Sequence, residues 1–222
     1  MRTLRINPDS KGAASPKGRQ TLLKILNAAR DVFIEHGYGQ FNIKRVSERC
    51  GLARGNITYY FPSRDALLQA LLRAVISGYT WDFDHIMADE GTTPEEKFVA
   101  IVRLIVEDLG TRETSVFFPE LWALASRSDY AAAEMDSLYA DARRYLVDLI
   151  AEINPSLGPD ARQAVALFVS ASLEGQTPFV GYGRSHGRRL PQITNIAANA
   201  LLETVRSIGG GDVGRQLATI AK

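Results

Sequence analysis

Asn42 to Phe61 reads NIKRVSERCGLARGNITYYF, and its punctuation is that of a helix, a tight turn and a second short helix. Asn42 suits the N-cap of the first helix, because its side chain can accept a hydrogen bond from an orphan N–H of the opening turn. Ile43, Val46 and Cys50 then share one helical face, while Lys44, Arg45, Ser47, Glu48 and Arg49 point elsewhere. Gly51 breaks the helix where a left-handed residue is required, and Leu52 returns an apolar side chain to the core. From Arg54 to Tyr60 the second helix offers Arg54, Asn56, Thr58, Tyr59 and Tyr60 around one apolar anchor, Ile57. Such a set of donors and hydroxyls, held by a helix-turn-helix, is the composition of a surface that reads base edges and grips phosphates.

Charge is distributed to match. Residues 1–70 carry 12 Lys and Arg against 5 Asp and Glu, and the remaining 152 residues carry 14 against 20, so a net charge of +1 hides a basic first third. A polyanion-binding surface therefore belongs at the N-terminal end. With 45% apolar residues the 222-residue chain can bury a substantial core. Its single Cys rules out an internal disulfide framework, and the absence of a long apolar run or a signal-peptide core points to a cytoplasmic protein with no membrane span.

The rest of the chain reads as helices. Residues 1–18, with Asn-Pro and Ser-Pro-Lys-Gly, lack periodicity and read as a flexible basic arm, either a plain tail or one that follows a phosphate backbone. Arg19 to His36 repeats Leu22, Ile25, Leu26, Ala29, Val32, Phe33 and His36 at helical spacing, with Gly37 as its stop. A long helix follows Pro62-Ser63. Thr93-Pro94-Glu95-Glu96 is a capping box with proline at the first helical position. Further helices are expected over Ser115–Arg127, Asp129–Ile153, Ala161–Phe179 and Pro191–Ile208, the last two separated by an Arg-rich exposed loop.

The ordered set Gly37-Tyr38, Phe41, Ile43, Val46, Cys50-Gly51-Leu52, Gly55-Asn56-Ile57, Tyr60-Phe61 and Ser63-Arg64-Asp65-Ala66-Leu67-Leu68 resembles the DNA-binding region of the tetracycline-repressor (TetR) family, over roughly Arg19 to Leu72. Cys50, Ala53 and Thr58 depart from the residues usual there, and Ala53 leaves the second helix without a side-chain cap. The resemblance implies an all-α fold. A three-helix helix-turn-helix DNA-binding domain at 19–62 would precede a helical ligand-binding and dimerisation domain at 63–222. It implies a homodimeric transcriptional regulator on a palindromic duplex operator, a repressor released by a small-molecule effector, with an activator as the alternative. Arg54 and Asn56 suit base edges, Arg for guanine and Asn for adenine. Gly55 lies between them, and Asn42, Arg45, Thr58, Tyr59, Tyr60 and Arg64 are assigned to phosphates.

In the family the effector enters a cavity among the central helices and moves the long linking helix. The candidate wall is Trp81, Phe98, Phe117, Trp122, Tyr139 and Phe168, with Glu174 and Gln176 as polar handles; the alternative for each aromatic is ordinary core. A carboxylate at Glu174 needs a partner, either a cationic ligand or an Arg across the dimer. Residues 161–179 and 191–208 either pack within one core or pair with their copies in a four-helix bundle, as the family implies.

No cofactor or metal is expected. His36, His85 and His186 stand apart without ligand spacing, and no nucleophile elbow or P-loop occurs, so an enzyme has no support. A helical adaptor without DNA binding would explain the amphipathic helices but not the basic first third.

Overall fold

The computed structural model describes residues 2–8, 10–211 and 213, and every regular element among them is helical. In order these are α1 (Pro16–Gln40), α2 (Ile43–Cys50), α3 (Arg54–Tyr60), α4 (Arg64–Met87), α5 (Pro94–Asp108), α6 (Arg112–Ala125), α7 (Asp129–Ile153), α8 (Pro159–Glu174), α9 (Thr177–Val180), a single 3-10 turn (Gly187–Arg189) and α10 (Leu190–Ser207). They gather into two compact units. One holds the residues up to Asp82 together with Val116–Tyr139; the other holds Phe83–Ser115 and the residues from Ala140 onward.

In the first unit, α1 starts where Ser15 accepts from the Gly18 N–H at 3.0 Å and Pro16 sets the first turn. Its buried face carries Leu22, Ile25, Leu26, Ala29, Val32 and Phe33 as predicted, whereas His36, at the end of the same stripe, is exposed. Regular helix breaks at Gly37 (φ 66°, ψ 173°), and one further turn reaches Gln40. Phe33 is the hub of this core: its ring meets Phe41, just ahead of α2, at 5.8 Å and Phe117 of α6 at 5.1 Å. From α4, Tyr79 meets Phe118 at 6.0 Å, and Gln69 donates to Glu134 of α7 at 2.8 Å.

The N-terminal residues differ from the expected arm. Leu4 and Ala13 are buried, the Arg5 N–H donates to the Ala74 carbonyl at 3.0 Å, and Arg2 pairs with Asp82 at 3.4 Å. Two isolated apolar residues anchor this stretch, a pattern that leaves no periodicity to detect.

The second unit is built on α5 and α10, which pack along each other, with α8 against both. The capping box at Thr93 forms as expected. The Glu96 carboxylate accepts from the Thr93 N–H at 2.8 Å and Thr93 Oγ1 accepts from the Glu96 N–H, so backbone hydrogen bonding holds that carboxyl below its ordinary range. The helix expected across 161–179 is divided, with α8 ending at Glu174 and α9 following. Pro178 has no N–H to offer the Glu174 carbonyl, so the ladder cannot continue.

Asn154, 7% exposed, closes this unit: its Nδ2 donates to the carbonyls of Val205 at 2.9 Å and Ile208 at 3.0 Å, at the C-terminal end of α10. Asn154→Ala orphans both acceptors and is expected to cost about 1–3 kcal/mol, read as a lowered urea midpoint with unchanged slope.

Candidate nucleic-acid interface

The helix-turn-helix is built from its caps inward. Asn42 accepts from the Arg45 N–H at 3.0 Å, so the residue assigned to phosphate spends its side-chain oxygen on the N-terminus of α2. Its amide donates to the Gln40 carbonyl, and the Arg45 guanidinium reaches Gln40 Oε1 at 2.8 Å. At the other end Gly51 adopts φ 65°, ψ 29°, a left-handed conformation that a side chain would strain. The Ser47 hydroxyl donates to the Leu52 carbonyl at 2.8 Å and fixes the path of the turn.

α3 follows without a side-chain cap, as Ala53 predicted. It is held by Ile57, fully buried, and flanked by the buried Val46, Cys50 and Phe61. Anchoring through one residue leaves the remainder of the helix facing outward: Arg54, Gly55, Asn56, Thr58 and Tyr59 are exposed, and Tyr60 is half-buried. Thr58 donates to the carbonyls of Arg54 and Gly55, whereas the Tyr59 and Tyr60 rings meet edge to face at 5.1 Å. Beyond the reading helix, Arg64 sits at the first turn of α4. Its guanidinium stacks over the Tyr38 ring at 4.4 Å and donates to the Tyr38 hydroxyl at 2.5 Å, which pre-positions an exposed cation.

One feature of this surface escaped sequence reasoning. Lys11, from the segment expected to be mobile, places its ammonium 2.7 Å from the Tyr59 carbonyl and 3.9 Å from the centre of the Tyr59 ring. No local pattern links positions 11 and 59.

The candidate effector wall is divided between the units. Trp81, Phe117, Trp122 and Tyr139 belong to the first, and Phe98, Phe168, Glu174 and Gln176 to the second. Phe117 and Phe98 are fully buried, and the Trp122 indole N–H donates to the Tyr139 hydroxyl at 3.0 Å. Trp81 is 44% exposed with the Arg5 guanidinium 3.6 Å over its ring, and Phe168 is 54% exposed, so neither is enclosed. Glu174 is half-buried, and Gln176 Nε2 donates to the Ser172 carbonyl while its Oε1 is buried without a hydrogen-bond partner.

The second unit also carries an apolar surface of its own. Leu167 and Phe168 on α8 are each 54% exposed, and Ile196 on α10 is 61% exposed. The opposite faces of the same helices bury Val165, Val169 and Leu173, and Ala198, Leu201 and Val205. Each helix thus presents apolar residues on two sides, which accounts for the near-continuous hydrophobicity of α8.

Comparison with known proteins agrees with this geometry. Residues 25–71 match the sequence profile described as bacterial regulatory proteins, tetR family. The HTH-type transcriptional regulator in the dhlA 5′ region of Xanthobacter autotrophicus is 28% identical over 189 residues, 82% of this chain and 89% of that one. A transcriptional regulator from Rhodococcus sp. RHA1 superposes with a TM-score of 0.68 at 18% identity, over 83% of this chain and 95% of that one. FadR from Bacillus subtilis, solved in complex with stearoyl-CoA, does so with a TM-score of 0.62 at 16% identity, over 83% and 97%. The two structures share the fold. Among the described residues no helix is long and apolar enough to cross a membrane.

Proposed function

Because this chain belongs to the TetR family of DNA-binding transcriptional regulators, we propose that it binds a palindromic operator as a homodimer, represses from it, and is released by a small-molecule effector. The observation that carries the DNA-reading half of this proposal is the outward face of α3, with Arg54, Asn56 and Tyr59 exposed around the single buried anchor Ile57. Arg54 and Asn56 reach base edges in the major groove, and Arg45, Thr58, Tyr59, Tyr60 and Arg64 position the helix on phosphates. Asn42 contributes by holding α2 in place. One such module grips little area. Two related by a two-fold axis fit half-sites about 34 Å apart, one helical turn of the duplex.

The exposed apolar faces of α8 and α10 support the dimer, since Leu167, Phe168 and Ile196 lie beside exposed alanines, Ala164, Ala171 and Ala200, that let a second copy approach closely. Functionally the chain divides into a reading domain at 19–62 and a regulatory domain at 63–222. In the latter the effector changes the spacing of the reading helices by preferring one arrangement over the other. Gln176, with its buried oxygen lacking a partner, is the best supported polar contact for such an effector.

Selection of binding sites from a random duplex pool tests this reading: an enriched palindrome supports it, and enrichment of no motif counts against it. On the selected operator, Asn56→Ala is expected to relax preference at one base pair per half-site by about 1–3 kcal/mol. Arg64→Ala is expected to weaken all sequences alike and to lower the salt slope by about one per protomer. An Asn56→Ala protein with unchanged base preference would remove Asn56 from the reading set.

A further inference from the structure

The reading helix has a weakness at each end. α3 has only seven residues, its N-cap Ala53 supplies no side-chain hydrogen bond, and beyond the C-cap Phe61 stands Pro62, which has no N–H for the last carbonyls. A helix this short has no stability of its own. Its C-terminal end, however, is met by Lys11, whose ammonium donates to the Tyr59 carbonyl at 2.7 Å and lies over the Tyr59 ring. A cation at that end also opposes the negative pole of the helix dipole.

What places Lys11 there is the stretch before it. Arg2 pairs with Asp82, Arg5 stacks on Trp81 and donates its N–H to the Ala74 carbonyl, and Leu4 is buried. All of these partners lie on α4. The fit is close enough that a Cβ built on Gly78 would come within 2.5 Å of the Thr3 carbonyl oxygen.

We propose that residues 2–8 and 10–11 form a strap, fastened along α4, that caps the DNA-reading helix from its C-terminal end, with Lys11 as a positioning residue for Tyr59. This rests on α3 being the helix that reads DNA. The strap replaces the stabilisation that Ala53 fails to provide at the other end, and it ties the orientation of α3 to α4. Lys11 acts through the α3 backbone, so its effect exists in the DNA-free protein.

Amide hydrogen exchange on the full chain without DNA tests this. Lys11→Ala is expected to speed exchange of the Thr58–Phe61 amides, Pro62 excluded, by about three- to tenfold, with the Leu22–Val32 amides of α1 unchanged. Lys11→Arg, which keeps a cationic donor, restores the original rates. Gly78→Ala supplies an independent arm. Glycine to alanine inside a helix ordinarily stabilises it, yet here the added methyl displaces the strap, so α3 exchange rises as in Lys11→Ala. Emission of Trp81, measured in a Trp122→Phe background, shifts as Arg5 leaves its ring. Unchanged α3 exchange in Lys11→Ala overturns the proposal, and a salt slope lowered by about one on the selected operator in that same variant would identify Lys11 as a phosphate contact only. Failure to find an operator would count against the DNA-binding reading and leave the exchange result standing on its own.

Discussion

Phe117→Ala is expected to destabilise the protein by about 3–5 kcal/mol, because a fully buried ring is removed from a core that cannot refill the space. For a chain of this size that corresponds to a fall in Tm on the order of 10 °C, measured by thermal unfolding. Phe117 packs at 5.1 Å on Phe33, whose other ring contact is Phe41 at the entrance to α2. The variant should therefore also bind operator more weakly, although position 117 lies far from α3 in sequence. A Phe117→Ala protein with wild-type Tm and a lost response to effector would reverse this assignment and return Phe117 to a cavity wall.

Under the proposed pairing of two copies through α8 and α10, Phe168→Asp is expected to yield a monomer. The side chain is 54% exposed in the single chain, so the substitution leaves the fold intact and circular dichroism unchanged. In a two-fold interface the change acts twice. At about 2 kcal/mol or more for each buried aromatic anchor, the dissociation constant of the dimer should rise about a thousandfold. Sedimentation at micromolar concentration reads this directly, and operator affinity should collapse with it. A variant that remains dimeric would place the interface away from α8.

The helix-turn-helix was legible because its determinants are local. Asn42 caps α2, Gly51 is left-handed, and Ile57 is the single buried anchor of α3, each as its residue type and spacing predict. Capping and periodicity likewise placed α1, α5, α7 and α10 to within a few residues. The strap was invisible for the opposite reason: Leu4 and Ala13 are lone apolar residues, and the Lys11 contact spans 48 positions. Size and hydrophobicity, the only sequence signals of an aromatic effector wall, do not distinguish a core ring such as Phe98 from an exposed one such as Phe168. The division of 161–179 was signalled by Pro178, but the apolar run on both sides outweighed that single residue.

The close seat of Thr3 on Gly78 carries a consequence for descent. Any side chain at position 78 is incompatible with the strap, whereas a chain lacking the strap has no use for glycine in the interior of α4 and gains about 1 kcal/mol by replacing it with alanine. Lineages that keep a cation at the position of Lys11 should therefore retain Gly78, and those that lost one should have drifted away from the other. An alignment of relatives would then display the two sites, 67 residues apart, as a covarying pair.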